Sequence, residues 1–95
     1  MPIVNHSLTT GYMASDIEIP DTTSEIELWA VDAVPATTEV ACIVRLSDAH
    51  DNVAETPLAA GEHFVKRFED NDAPSGWSYN IKAAVGTPVG VAMLS

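Results

Sequence analysis

Three histidines and fourteen acidic residues are the side chains in this 95-residue chain on which metal or acid–base chemistry would draw. Asp48, His50 and Asp51 stand close together, but a zinc site needs four ligands, or three and a water, and nothing beside them supplies the rest. The run from Ser47 to Asn52 instead has the composition of a polar turn. Glu69, Asp70 and Asp72 resemble the start of a calcium loop. With Asp70 as its first position, however, Ser75 would stand where that loop needs glycine, and the closing glutamate is missing. Nucleophilic chemistry has no better footing. Gly76-Trp77-Ser78 lacks the remainder of a G-x-S-x-G elbow. Gly86-Thr87-Pro88-Val89-Gly90 has no lysine and precedes a strand, unlike a phosphate loop. Two carboxylates for glycoside cleavage would need a deep cleft, for which so short a chain has little room. The single cysteine, Cys42, lies in an apolar run and is expected to be a buried small hydrophobe. These residues predict no catalytic residue, no metal, no cofactor and a protein that is not an enzyme.

The elements that would position any site are strands. Trp77, Tyr79, Ile81, Ala83 and Val85 alternate with Ser78, Asn80, Lys82 and Ala84, the period of a half-buried strand. After Gly86, Thr87 and Pro88 the alternation resumes with Val89, Val91 and Met93. The two runs are expected to pair or neighbour each other, with the larger side chains in the core. Ile17 and Glu18 precede a stop at Pro20. In residues 25–31, Ile26, Leu28 and Ala30 point one way, whereas Glu25, Glu27, Trp29 and Val31 point the other. Trp29 thus shares a face with two carboxylates and is either covered by a loop or exposed as an interaction patch. Pro35 to Thr38 form a turn. Val40, Cys42, Val44 and Leu46 form one side of a strand whose other side, Ala41 and Ile43, is also apolar, which predicts a central strand.

Residues 55–70 are ambiguous. Thr56 before Pro57, and Phe64 four residues before Phe68, suit a helix. Gly61 and the alternation of Phe64, Lys66 and Phe68 favour a turn followed by a strand over 62–68. The six prolines fall at or near the ends of these runs. The prediction is an all-β, single-domain antiparallel sandwich or small barrel of about 6–7 short strands over residues 16–95. Residues 1–15, which contain no Asp, Glu, Lys or Arg, are expected to be an extended N-terminal arm. That arm either frays or docks on a neighbouring subunit, and its lack of charge favours docking.

Composition excludes several partners. Four basic residues against fourteen acids leave a formal charge of −10, which repels nucleic-acid backbones and anionic membranes. All four bases, Arg45, Lys66, Arg67 and Lys82, fall after residue 44. The first half is therefore a near-pure anion, suited to a positively charged surface or simply to solubility. One cysteine excludes an internal disulfide framework. The start lacks the basic leader and apolar run of a secretory signal, and no run approaches the ~20 residues of a membrane helix. A protein made and folded in a reducing compartment is expected.

The polar leader from Asn5 to Met13, with Thr9 and Thr10, and the closing strand that includes Gly86-Thr87-Pro88-Val89-Gly90-Val91 carry a resemblance. The chain resembles the small head-decoration, or cement, proteins of tailed bacteriophages. These are short, disulfide-free β proteins, often trimers at capsid symmetry points. The resemblance implies a structural protein of the virion surface that binds the major capsid protein and stabilises the shell by bridging its subunits. A homo-oligomer, with a trimer favoured, goes with it. Ile3, Val4, Leu8 and Tyr12 of the arm, Trp29 and Val31, and Val91 and Leu94 of the last strand are the expected interface residues. The alternative is a carbohydrate-binding or adhesion module with Trp29, Trp77 and Tyr79 as an aromatic platform. The apolar face that Ile81, Ala83 and Val85 continue places Trp77 and Tyr79 in the core instead.

Overall fold

A computed structural model of the chain describes residues 3–31, 40–68, 75–84 and 88–95. The calcium-like run at 69–72, the turn at 35–38, Val85 and the Gly86-Thr87 step lie outside the described residues. The described residues form eight strands: β1 (Ile3–Ser7), β2 (Ile17–Glu18), β3 (Glu25–Val31), β4 (Val40–Ser47), β5 (Val53–Ala59), β6 (Phe64–Arg67), β7 (Ser78–Ala83) and β8 (Val89–Leu94). They form two antiparallel sheets, ordered β1-β8-β3-β6 and β2-β7-β4-β5. Successive strands mostly change sheet, which is the winding of an eight-stranded jelly roll. The all-β sandwich expected from the sequence is therefore the fold.

Alternation explains the core. Ile26, Leu28 and Ala30 of β3 face Cys42, Val44 and Leu46 of β4 and Tyr79, Ile81 and Ala83 of β7 across the sandwich, and all are buried. The interior position of β4, between β7 and β5, matches its apolar character. Phe68 and Trp77 meet edge to face, with centroids 5.3 Å apart, and cover the end at which β3 and β7 begin. Gly61, at φ 79°, makes the turn between β5 and β6.

Three expectations are corrected. First, β7 and β8 do not pair; they belong to opposite sheets. Second, the last strand turns Gly90, Ala92 and Leu94 inward, and Val89, Val91 and Met93 outward. The reason lies at Gly90. A Cβ there would stand 2.9 Å from Cδ2 of Leu8, so the missing side chain is the space that Leu8 fills. Third, residues 53–59 form a strand that a helix-or-turn reading concealed. Its Pro57 is tolerated because β5 lies at a sheet edge.

The segment expected as a separate arm is built into the body of its own chain. β1 pairs with β8 from Ile3↔Met93 to Ser7↔Val89. Leu8 then enters the core, 2% exposed. Residues 9–16 cross the outside of the second sheet to reach β2. There Ala83 N donates to Thr9 O at 2.7 Å, and Met13 N donates to Asn80 Oδ1 at 2.9 Å.

Leu8→Ala is expected to cost about 2–5 kcal/mol in urea unfolding, and Gly90→Ala about 1–3 kcal/mol through overpacking. Because the two side chains compete for one volume, the double variant should be more stable than the sum of the two losses implies. Strict additivity would show that Leu8 does not occupy the Gly90 notch.

Candidate functional site: an uncharged sheet face

The register of the first sheet sets out its outer surface in rows. Ile3, Met93, Glu27 and Val65 lie side by side, then Asn5, Val91 and Trp29, then Ser7, Val89 and Val31. Among the described residues the β1–β8 half of this face carries no charged side chain. Ile3, Val31 and Val65 are exposed large apolar residues, at 58%, 37% and 48%. Val91 faces outward yet is buried, flanked in register by Asn5 and Trp29. The charges on the face are grouped on β3 and β6. Arg67 Nε donates to Glu25 Oε2 at 2.9 Å, and His63 Nδ1 lies 2.8 Å from Glu27 Oε1.

Trp29 is half-buried and stacks on His63, with centroids 4.4 Å apart and planes within 2°. Glu27 holds that imidazole by its edge. One aromatic face of Trp29 is thus already occupied, and the indole is a fixed apolar ridge rather than a free platform. Tyr79 is fully buried, and Trp77 is packed against Phe68. The aromatic trio does not assemble.

Among the residues expected at an interface, Ile3, Trp29, Val31 and Val91 share this outer face. The others do not join them. Leu8 and Leu94 are core. Val4 points inward at the sandwich edge, where it lines a cleft of about 370 Å³ with Ile17, Tyr79 and Leu94. Tyr12 lies across the opposite sheet, between Arg45, whose Cζ is 4.1 Å from its ring centroid, and Lys82, whose Nζ is 4.6 Å away. Burial, and secondarily the charge of Glu55, raise the Tyr12 phenol above its usual range. Sequence alternation pointed to Trp29 and Val31, whereas Val91 was expected at an interface although the alternation of the last strand grouped it with the core. Val89, Met93 and Val65 were missed because nothing local says which side of β8 and β6 faces out.

The remaining candidates have structural employment. Asp48 Oδ1 accepts the N–H groups of His50 and Asn52 at 2.8 and 2.9 Å, while Asn52 Nδ2 donates to Oδ2 at 3.0 Å. The acid at 48 therefore closes the β4–β5 turn, in which Asp51 takes φ 62°. Among the described residues no three His, Cys, Asp or Glu side chains converge as metal ligands. Cys42 is buried, and desolvation pushes its thiol up to about 11. Asn80, fully buried, is the hub beneath residues 9–16. Its Nδ2 donates to Met13 O at 3.1 Å and to Asp16 Oδ1 at 2.8 Å, and Arg45 reaches the same Asp16 oxygen at 2.8 Å. These bonds, with Asn80 first and Arg45 second, hold the Asp16 carboxyl below its usual range. His6 points inward from β1 and meets the hydroxyl of Tyr79 at 2.9 Å. Burial lowers the His6 imidazole and raises the Tyr79 phenol to about 12.

No family model and no curated protein sequence matches the chain. A solved structure that it resembles is that of Drosophila melanogaster CENP-C bound to CAL1. The TM-score is 0.58 and the identity 11%, with 98% of this chain and 64% of that one covered. At that identity the likeness is one of fold, and this chain spans less than two thirds of its neighbour.

Two outcomes follow for the buried groups. His6 is lowered on folding, so its contribution to stability is complete above pH 6.5, its ordinary value. It is lost as pH falls through and below that point. Urea midpoints at pH 7.5 and 5.5 should therefore differ less for His6→Gln than for the wild type. Cys42 should resist a thiol reagent at pH 7.5 in the native protein and react at once in denaturant. Rapid native labelling would place the thiol at the surface.

Proposed function

We propose that the chain is a non-enzymatic assembly protein, of the capsid-decoration kind, that docks on a larger protein surface through the outer face of the β1-β8-β3-β6 sheet. The observation that carries this reading is the uncharged β1–β8 half of that face, with Ile3 exposed on it and Val31 exposed beside it, on a molecule of net charge −10. Like-charged copies repel over a Debye length of ~8 Å at physiological salt. A contact between them, or with a crowded shell, is best made where neither side presents charge.

Size favours many copies over one tight contact. Four strands spaced ~4.8 Å apart and ~20 Å long cover roughly 400 Å². A stable pairwise interface takes ~800 Å² per partner. One face alone is about half of that, which suits a protein held by several weak contacts around a symmetry point. Jelly rolls recur in viral capsid and lectin domains. That is analogy of fold, and it also serves the carbohydrate alternative. The occupied face of Trp29 and the burial of Tyr79 favour a protein partner. The solved neighbour is itself a protein bound to a protein. On this reading the protein is made in the host cytoplasm and belongs to the virion surface. Its partner is the major capsid protein, and it forms a trimer.

The test is native mass by light scattering behind a sizing column, for the wild type and for Val31→Asp. A discrete trimer or another closed ring is expected for the wild type. Val31→Asp should be monomeric, with its unfolding midpoint nearly unchanged, because the site is at the surface. A wild-type monomer at every concentration would contradict the oligomer. Glycan capture by that monomer would replace assembly with carbohydrate binding.

A further inference from the structure

A sheet edge is an open template for another chain, and natural β proteins protect such edges with charge, proline, bulges or brevity. Among the described residues four strands lie at sheet edges: β1 and β6 in one sheet, β2 and β5 in the other. Three of them carry that protection. β6 has Lys66 and Arg67, β5 has Glu55 and Pro57, and β2 is two residues long and includes Glu18. β1 has none of it. Ile3, Val4, Asn5, His6 and Ser7 include no Asp, Glu, Lys, Arg or Pro, and the strand pairs regularly with β8 over five residues.

The cleft opens beside this edge. It lies between β1 and β2, with Val4, Ile17, Leu94 and the ring of Tyr79 as its apolar lining and Glu18 at its rim. Its volume of about 370 Å³ is more than twice the ~150 Å³ that already takes a benzene. Alternate side chains of a strand added to β1 would point the way Val4 points, into the cleft. Acid surrounds it. Asp21 sits in the turn in which Thr23 N donates to Pro20 O, and residues 1–44 contain no Lys or Arg. On the second sheet, Arg45 is engaged with Asp16.

We infer that the edge of β1, unpaired among the described residues, and the cleft beside it form a strand-addition site for an extended segment of a partner protein, one with apolar residues at alternate positions and flanking Lys or Arg. Main-chain bonds to β1 would give affinity. The cleft and its acidic rim would give specificity. This site is separate from the outer sheet face and does not depend on it.

The probe is acetyl-Lys-Val-Thr-Ile-Thr-Lys-amide, titrated into the isotope-labelled full chain and followed by NMR. Shifts are expected at the β1 amides and at the methyls of Val4, Ile17 and Leu94. The same peptide with Glu in place of both Lys, and the Lys peptide against Glu18→Lys, should each bind about fivefold more weakly or worse. Trp29→Ser should bind the probe as the wild type does, which separates this site from the outer face. Absence of shifts, or equal binding of the acidic peptide, would overturn the inference. So would β1 amides already protected in a self-associated form, because a second copy would then hold the edge.

Discussion

The contact on which the molecule depends is Leu8 in the notch left by Gly90. β1 alone is a five-residue edge strand with a mostly exposed burial pattern, too short to hold itself in place. Leu8 anchors its end in the core, and from there the chain can cross to the other sheet. Residues 9–16 then lie on Asn80, whose amide meets both the Met13 backbone and Asp16. Residues 3–16 thereby join the two layers from outside. The uncharged composition of residues 1–15 has its explanation here as much as in any docking role: Leu8 is buried, and His6 turns into the sandwich.

The commitment of this segment to its own chain decides what is left for a partner. An arm free to reach a neighbour would make the arm the interface. Instead the segment builds two surfaces. It completes the uncharged half of the outer sheet face through Ile3, Asn5 and Ser7, and it supplies the unprotected edge beside the cleft. Each of the four basic residues faces an acid or an aromatic ring. Arg45 meets Asp16 and Tyr12, Arg67 meets Glu25, Lys66 approaches Phe68 and Trp77, and Lys82 approaches Tyr12. The excess acid stays outside these contacts, where it favours a neutral or basic counterpart.

Much of the fold was legible because alternation is strong in β3, β4 and β7. In each, apolar and polar faces differ enough to orient the strand. β8 defeated that rule because both its faces are apolar. The inward side was set by a distant residue, Leu8, against a glycine, and not by the larger side chains. β5 was obscured by Pro57 and by helix-like punctuation, since whether a proline is tolerated in a strand depends on a sheet order that local sequence does not contain. Trp29 was visible on its acidic face. Its stacking on His63 was not, because it needs the register of β3 against β6. Leu8 and Leu94, expected at an interface, lie inward for the same reason: apolar character is readable locally, whereas direction is set across the sheet.

Amide hydrogen exchange on the free chain at neutral pH addresses the central point most directly. If residues 3–16 are part of the fold, the amides of Leu8 and Met13, and that of Ala83 beneath Thr9, should exchange only through substantial unfolding. They should be slowed by orders of magnitude relative to an unstructured chain. Exchange of Leu8 and Met13 at unstructured rates, with β3, β4 and β7 still protected, would make the segment a free arm. Both proposed contact surfaces would then be lost.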